Sequence, residues 1–376
     1  MHIADVTLFF APHSGGVKRY LLAKHRYLAG RAAVRHSLLV PGPQDAEVAP
    51  GLFELPAPRV SSGYRIPARP WLWRRKLCAL KPDIIEVGDP YHLAWAALDA
   101  GDRIGAATVA FAHSDMPRML ACRFGSIVGR AADVYLRHLY AHFDLVMAPS
   151  QLIANRLRAA GHQRVVVQPL GVDGDCFHPS RRDASLRAEL GLPAGTRLLV
   201  FAGRMAREKQ IPLLLDTFAK LGAPYHLLLI GGEERTRLSA NVTLLPYEQD
   251  SVRLARLLAS ADALVHAGAH ETFGMIVIEA MACGRPVIGL HAGAIPELID
   301  ASVGLLADPG NPASLAAAIA ALYERDLNAL GRAAHARVER YYTWDSAFTR
   351  LLERYACLQH RMPIADLDLE AADVQA

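Results

Sequence analysis

Short apolar runs alternate with amphipathic segments along most of the chain. His2–Phe10, Ser37–Val40, Asp83–Val87, Ala106–Ala112, Leu145–Ala148 and Arg164–Gln168 read as strands. Between them, Val17, Tyr20, Leu21 and Leu28 fall at helical spacing within Val17–Arg31, and Tyr91–Asp99 and Gln151–Ala160 also read as helices. The second half repeats the pattern. Strands are expected at Arg197–Ala202, His226–Ile230, Val242–Leu245, Ala263–His266, Pro286–Gly289 and Gly304–Ala307. Helices are expected at Pro212–Lys220, Ser251–Ser260, Phe273–Ala282 and Pro312–Arg325, with Gly284 as the stop of the third. Such alternation predicts an α/β protein of two doubly wound, Rossmann-like domains with a cleft between them. Asp173, Gly174, Pro179 and Pro193 punctuate the join, so the expected divisions are 1–175, 176–340 and 341–376. In the last of these, Trp344, Phe348, Leu351, Leu352 and Tyr355 form the stripe of a terminal helix, followed by an acidic tail from Ala365 that is expected to fray.

Composition changes this picture little. The chain has 376 residues, 52% hydrophobic and 21% charged, which excludes disordered and collagen-like classes. No stretch of about 18 apolar residues is free of charges or breakers, so no membrane span is expected. Met1–Phe10 reads as a first strand rather than a signal peptide. The five cysteines are scattered with no CxxC pair, against a disulfide framework or zinc ribbon and in keeping with a reducing, cytoplasmic setting. Charge is uneven: residues 1–180 carry 21 Lys and Arg against 14 Asp and Glu, and residues 181–376 carry 20 against 23. The basic half could face a phosphate or an acidic lipid surface, or be a mild bias alone. Nothing has the spacing of a nucleic-acid motif.

Candidate chemistry follows the strand ends. Gly15-Gly16 stand between a strand and a helix, where exposed N–H groups can receive a phosphate, although a plain tight turn explains them equally. Gly203 permits close approach of a ligand, and Arg204 and Lys209 supply a forked and a point cation suited to a diphosphate. Glu271 and Glu279 are eight residues apart, about 12 Å along a helix. That exceeds the about 5–9.5 Å of a glycosidase carboxylate pair and suits one extended ligand touched twice. N–H groups near Phe273, Gly274 and Met275 open that helix toward an anion. Glu279 sits in an almost wholly apolar helix, so a buried capping network is the structural alternative. His113, at a strand end, can bond a hydroxyl, and Asp115 allows a His–Asp relay. HExxH, GxSxG and GxGxxG are absent, against a zinc protease, a nucleophile elbow and a nicotinamide site. No His/Cys/Asp set has metal spacing. In PARPWLWRRKL, Trp71 and Trp73 beside Arg74, Arg75 and Lys76 suggest peripheral contact with an anionic membrane, or a packed Trp pair with solvated cations.

Taken together, these motifs resemble one family. They are SGGV at 14–17, AHSD at 112–115, QPLGVDGDCFHP at 168–179, GRMAREK at 203–209, the segment 257–289 containing ETFGMIVIE, and AGAIPELI at 292–299. The chain resembles family 4 of the retaining glycosyltransferases, with the GT-B fold, over nearly its whole length. The resemblance implies an acceptor-side first domain, a second domain that binds a nucleotide-diphosphate sugar, and a final helix crossing back to the first. It implies that Arg204 and Lys209 hold the diphosphate, Glu279 the ribose hydroxyls, and Glu271 the sugar hydroxyls with the N–H groups of Phe273, Gly274 and Met275. His113 would reach the sugar from the first domain, Gly15 and Gly16 would lie close to the diphosphate and the acceptor, and backbone at Pro246–Glu248 would frame the base. Configuration is kept by front-face attack, with no metal or cofactor needed. The subgroup likeness favours GDP-mannose or UDP-glucose as donor and a hydroxyl acceptor, lipid-linked or otherwise, met at the inner face of the membrane. Where many relatives have Gly-Asp-Gly, this chain reads GGEERTRL, placing Glu233 and Glu234 near a phosphate site. The alternative function is a GT-B protein that binds a sugar nucleotide without transferring it.

Overall fold

The computed structural model of the protein describes residues 1–11, 15–60, 63–360 and 362. It contains two compact units, Met1–Pro169 with the segment from Ala347 onward, and Leu170–Ser346. Ser14 of the SGGV motif and the tail from Ala365 lie outside the described residues.

The first unit runs β1 (His2–Val6), α1 (Gly16–Ala29), β2 (Arg35–Gly42), β3 (Ala46–Ala49), β4 (Leu52–Pro56), α2 (Trp71–Leu80), β5 (Ile84–Val87) and α3 (His92–Ile104). It continues with β6 (Ala107–Phe111), α4 (Met116–Phe124), α5 (Ser126–Tyr140), β7 (Leu145–Ala148), α6 (Gln151–Ala159) and β8 (Val165–Val167). Among the described residues its sheet has the order β3-β4-β2-β1-β5-β6-β7-β8, parallel throughout except β3 against β4. Helices cover both faces, so β5 and β7 are buried at every residue and read as unbroken apolar runs apart from one glutamate. That glutamate, Glu86, is paired in register with Asp5 of β1. Two carboxylates side by side in the middle of a sheet would repel, and Lys24 of α1 resolves this. Its ammonium lies 2.7 Å from Asp5 and 3.1 Å from Glu86, all three being essentially inaccessible to solvent.

The second unit runs α7 (Leu186–Glu189), β9 (Arg197–Ala202), α8 (Ile211–Leu221), β10 (Tyr225–Gly232), β11 (Thr236–Ser239), β12 (Val242–Pro246), α9 (Ser251–Ser260) and β13 (Ala263–Val265). It ends with α10 (Met275–Ala282), β14 (Val287–Leu290), β15 (Gly304–Ala307), α11 (Pro312–Leu322) and α12 (Leu327–Tyr341). Its sheet has the order β11-β12-β10-β9-β13-β14-β15, with β11 alone antiparallel among the described strands. β3 and β11 escaped the sequence reading because each is a four-residue, mostly exposed edge strand without an apolar run.

A last helix, α13 (Trp344–Gln359), starts in the second unit and buries Phe348, Leu351 and Tyr355 in the first. Phe348 packs on Tyr27 and Tyr20 of α1 at 5.2 and 5.8 Å between ring centroids. The division falls at 169/170 and 346/347 rather than at 175/176 and 340/341. The reason is local: Val172 N–H donates to Tyr342 O at 2.8 Å and Trp344 N–H to Val172 O at 3.2 Å, so both connecting segments belong to the second unit.

Candidate functional site

In each sheet the strand order reverses beside one pair, β1/β5 in the first unit and β9/β13 in the second. Loops leaving the carboxyl ends of such a pair diverge and open a crevice. Gly15, Gly203, Arg204, Lys209, Glu271, Phe273 and Gly274 lie on these loops, Gly16, Met275 and Glu279 on the helices that follow them, and His113 after the neighbouring strand β6.

In the second unit, β9 exits through Gly203 to a single 3-10 turn, Arg207–Lys209, and β13 exits through His266 to Glu271. Lys209 Nζ donates to Glu271 Oε1 in a close ion pair, both side chains being mostly buried. His266 Nε2 lies 3.2 Å from the same oxygen. Gly268 N–H donates to His266 Nδ1 at 3.2 Å, which leaves Nε2 turned toward the carboxylate. Burial pushes the Glu271 pKa up, but His266 and Lys209 together outweigh it and hold the carboxyl well below its ordinary range. Glu271 is therefore ionised at any pH where the protein works, and it holds the Lys209 ammonium beside the end of β9.

Glycines make room for this arrangement. A Cβ on Gly268 would stand 3.0 Å from Glu271 Oε1 and 2.6 Å from His266 Cε1. Gly293, at φ +62, would put a Cβ 2.9 Å from Glu271 O, and the next residue, Ala294, donates its N–H to that oxygen at 3.0 Å. The loop after β14 thus braces the loop that carries Glu271. α10 begins at Met275, not at Phe273, because Gly274 takes φ +105 at the N-cap. Phe273 is buried against Tyr342, with ring centroids 6.0 Å apart. Glu279 is buried one turn along α10. Gly203 adjoins the Lys209 stem, its notional Cβ 3.9 Å from Lys209 Cε. Arg204 is exposed and reaches Glu208 at 3.3 Å, so it is not part of the Lys209–Glu271–His266 cluster. Glu233 and Glu234 are exposed on the turn between β10 and β11.

In the first unit, His113 follows β6 and stacks on Phe111 at 3.9 Å, with Tyr20 edge-on at 5.2 Å. Burial, then the nearby Lys24 ammonium, push its pKa down to about 3, against a partial opposing pull from Asp5. It is thus a neutral hydrogen-bonding group. A His–Asp relay does not form, because Asp115 caps α4 at Arg118 N–H and pairs with Arg156. Gly15 and Gly16 open α1. The segment leading to them is pinned by Asp89, which accepts the Leu8 N–H at 2.6 Å. Burial raises the Asp89 carboxyl to about 6, with that N–H opposing.

The sequence reading missed His266, Asp89 and the buried cluster beneath His113. In that cluster Tyr20 donates to Glu86 at 3.1 Å, Tyr355 donates to Glu86 and lies 2.9 Å from Lys24, and His36 lies 2.9 Å from Asp5. The suggested membrane element is corrected in part. Trp73 has no exposed surface and joins the core with Leu77, whereas Trp71 is 51% exposed. Arg74 pairs with Asp99 and Lys76 lies over the Phe53 ring, so the two tryptophans and the cations do not form one surface. Among the described residues no helix is long and apolar enough to cross a membrane. Among them, too, no group of three His, Cys, Asp or Glu is placed to hold a metal ion.

Two family models match the chain: Glycosyltransferase Family 4 over residues 14–175 and glycosyl transferases group 1 over residues 196–325. It is 32% identical to a GDP-mannose-dependent alpha-(1-6)-phosphatidylinositol dimannoside mannosyltransferase of Mycobacterium tuberculosis, over 94% of this chain and 95% of that one. It is 31% identical to a GDP-mannose-dependent alpha-mannosyltransferase of Mycolicibacterium smegmatis, over 82% of this chain and 84% of that one. Among solved structures, sucrose-phosphate synthase of Thermosynechococcus elongatus superposes with a TM-score of 0.80 at 21% identity, covering 95% of this chain and 99% of that one. Anabaena HepE in complex with UDP and glucose superposes with a TM-score of 0.72 at 19% identity, covering 93% and 98%. The two sheets and their switch-point loops are those of the GT-B fold, and the chain belongs to glycosyltransferase family 4, an enzyme family that draws on nucleotide-sugar donors.

Proposed function

We propose that this glycosyltransferase moves mannose from GDP-mannose to a hydroxyl group of a lipid-linked acceptor, with retention of configuration. Support for the donor comes from the relatives whose names specify GDP-mannose. The phosphatidylinositol mannoside named for the first of them supports a lipid-linked acceptor. The observation that carries the site is the Lys209–Glu271–His266 cluster at the β9/β13 switch point.

In this reading Lys209 neutralises the diphosphate as the bond from the anomeric carbon to the phosphate oxygen breaks. Glu271 fixes Lys209 and accepts hydrogen bonds from sugar hydroxyls. N–H groups at Phe273, Gly274 and Met275 face the same charge at the start of α10. Glu279 takes the ribose hydroxyls, and Arg204 adds charge at the rim. Gly15, Gly16 and Gly203 leave room for the diphosphate. His113, neutral, offers a hydrogen bond to the transferred sugar. The acceptor oxygen bonds to the anomeric carbon on the face the phosphate leaves, and its proton passes to the departing phosphate oxygen. No step uses a metal ion. The proposed place of action is the inner face of the membrane, in keeping with a lipid-linked acceptor.

The test is incubation of the purified chain with labelled GDP-mannose or UDP-glucose and a bacterial lipid extract. Label from GDP-mannose moving into an organic-soluble product supports the proposal. Transfer from UDP-glucose alone overturns the donor, and transfer only to water-soluble acceptors overturns the lipid.

A further inference from the structure

The helical hairpin α4–α5 has two apolar faces where folding needs one. Its inner face is filled: Ala132, Leu136 and Leu139 belong to the core of the first unit. The helices also meet closely, since a Cβ on Gly129 would stand 2.6 Å from the Ala121 Cβ. Yet Met119, Phe124 and Val134 are each 59–60% exposed and Ile127 is 73% exposed. Large apolar side chains gathered on one short hairpin are an interaction surface rather than the scatter usual on a soluble protein.

The charges say what covers it. Along α5, Ile127, Arg130, Val134 and Arg137 fall at i, i+3, i+7 and i+10, a single stripe alternating apolar and basic groups. Over residues 116–140 there are four arginines and one aspartate. Arg123, Arg130 and Arg137 are exposed, with Arg123 next to the Phe124 ring at 5.4 Å. Apolar tips flanked by guanidinium groups match a bilayer interface, where the tips enter the acyl boundary and the cations meet anionic headgroups. A protein partner would have to supply both acidic groups and an apolar pocket. The hairpin starts close to the site in sequence: Asp115, whose carboxylate caps α4 at the Arg118 N–H, comes two residues after His113.

We propose that the outer face of α4–α5 is a docking surface for an anionic lipid membrane, distinct from the α2 segment with its buried Trp73. The proposal goes beyond the donor assignment and does not rest on it. The full chain is sedimented, without any sugar donor, with vesicles of phosphatidylcholine alone or with about 30 mol% phosphatidylglycerol. Binding is expected to the anionic vesicles and to weaken as salt rises. Phe124→Ser with Ile127→Ser should lower partitioning at least about tenfold, and Arg123→Gln with Arg130→Gln should remove most of the salt dependence. Both pairs are exposed, so circular dichroism should match the parent, and Trp71→Ser should leave binding unchanged. Equal binding by the Phe124/Ile127 variant overturns the proposal, as does equal binding to neutral vesicles. So does a parent dimer in analytical ultracentrifugation that this variant dissociates, which assigns the face to a second copy of the chain.

Discussion

Replacing Lys24 with Met removes the cation between Asp5 and Glu86 while keeping the length of the side chain. Two carboxylates then stand in register on adjacent central strands, both nearly inaccessible to water. Asp5 keeps His36 as a partner at 2.9 Å, and Glu86 keeps the hydroxyls of Tyr20 and Tyr355, so only the ammonium is lost. Removing one member of a buried ion pair costs about 3–5 kcal/mol, against a total stability of about 5–15 kcal/mol for a domain. With a urea slope of about 2 kcal/mol per molar, the unfolding midpoint of the first unit should fall by about 2 M. Tryptophan fluorescence reads mainly that unit, because Trp71, Trp73 and Trp95 belong to it. The double variant Lys24→Met with Glu86→Gln removes the second charge and should recover more than half the loss. The pH dependence has a defined sign. Burial pushes the Asp5 pKa up, but Lys24 and His36 outweigh it and bring it down to about 2. Its contribution is present above the unfolded value near 4 and is lost as pH falls through about 2. A Lys24→Met midpoint within about 0.3 M of the parent would show that the ammonium is not what makes the carboxylate pair tolerable.

Other consequences are open to direct measurement. Lys209→Ala should keep the fold and lower kcat/KM about 10²- to 10³-fold, the usual loss when a group facing developing charge is removed; an unchanged rate takes Lys209 out of the site. His113→Ala should lower kcat about tenfold, the size of one lost hydrogen bond. Because burial brings His113 down to about 3, the parent pH–rate profile should show no His113 limb between about pH 5 and 8, and such a limb, absent in His113→Ala, contradicts the neutral role. Burial also lowers His226 to about 4, so His113 and His226 contribute stability that is full above the unfolded value near 6.5 and lost on acidification. The midpoint of thermal unfolding should therefore fall steadily from about pH 6.5 to about pH 4, and a flat profile there counts against their burial. Trp73→Ala should destabilise the first unit by about 3–5 kcal/mol while Trp71→Ala stays within about 0.5 kcal/mol; equal effects would contradict the observed orientation of α2.

Much of the fold is legible because parallel strands covered on both faces leave unbroken apolar runs, as in Leu145–Ala148 and Val287–Leu290. Site loops are legible for a related reason: glycines, cations and carboxylates gather just after those runs. What periodicity does not carry is partnership across the sheet. Asp5 and Glu86 are 81 residues apart in sequence and meet only because β5 returns to pair with β1. His266 reaches Glu271 only because Gly268 leaves space between them. Helix phase decided the tryptophans, since Trp73 and Leu77 share the inward face of α2 and Trp71 does not. The α4–α5 hairpin shows the same limit, because an apolar stripe at helical spacing has the same pattern whether it faces a core or water.

The proposed function requires the β9/β13 loops of the second unit to take the diphosphate of a guanosine nucleotide. Calorimetric titration of GDP, UDP and ADP into the parent chain and into Lys209→Ala checks this. GDP should bind most tightly, and Lys209→Ala should weaken it about tenfold or more, as expected for a lost charge-assisted contact. GDP binding no tighter than UDP would contradict the choice of base, and equal GDP affinity in Lys209→Ala would contradict the site itself.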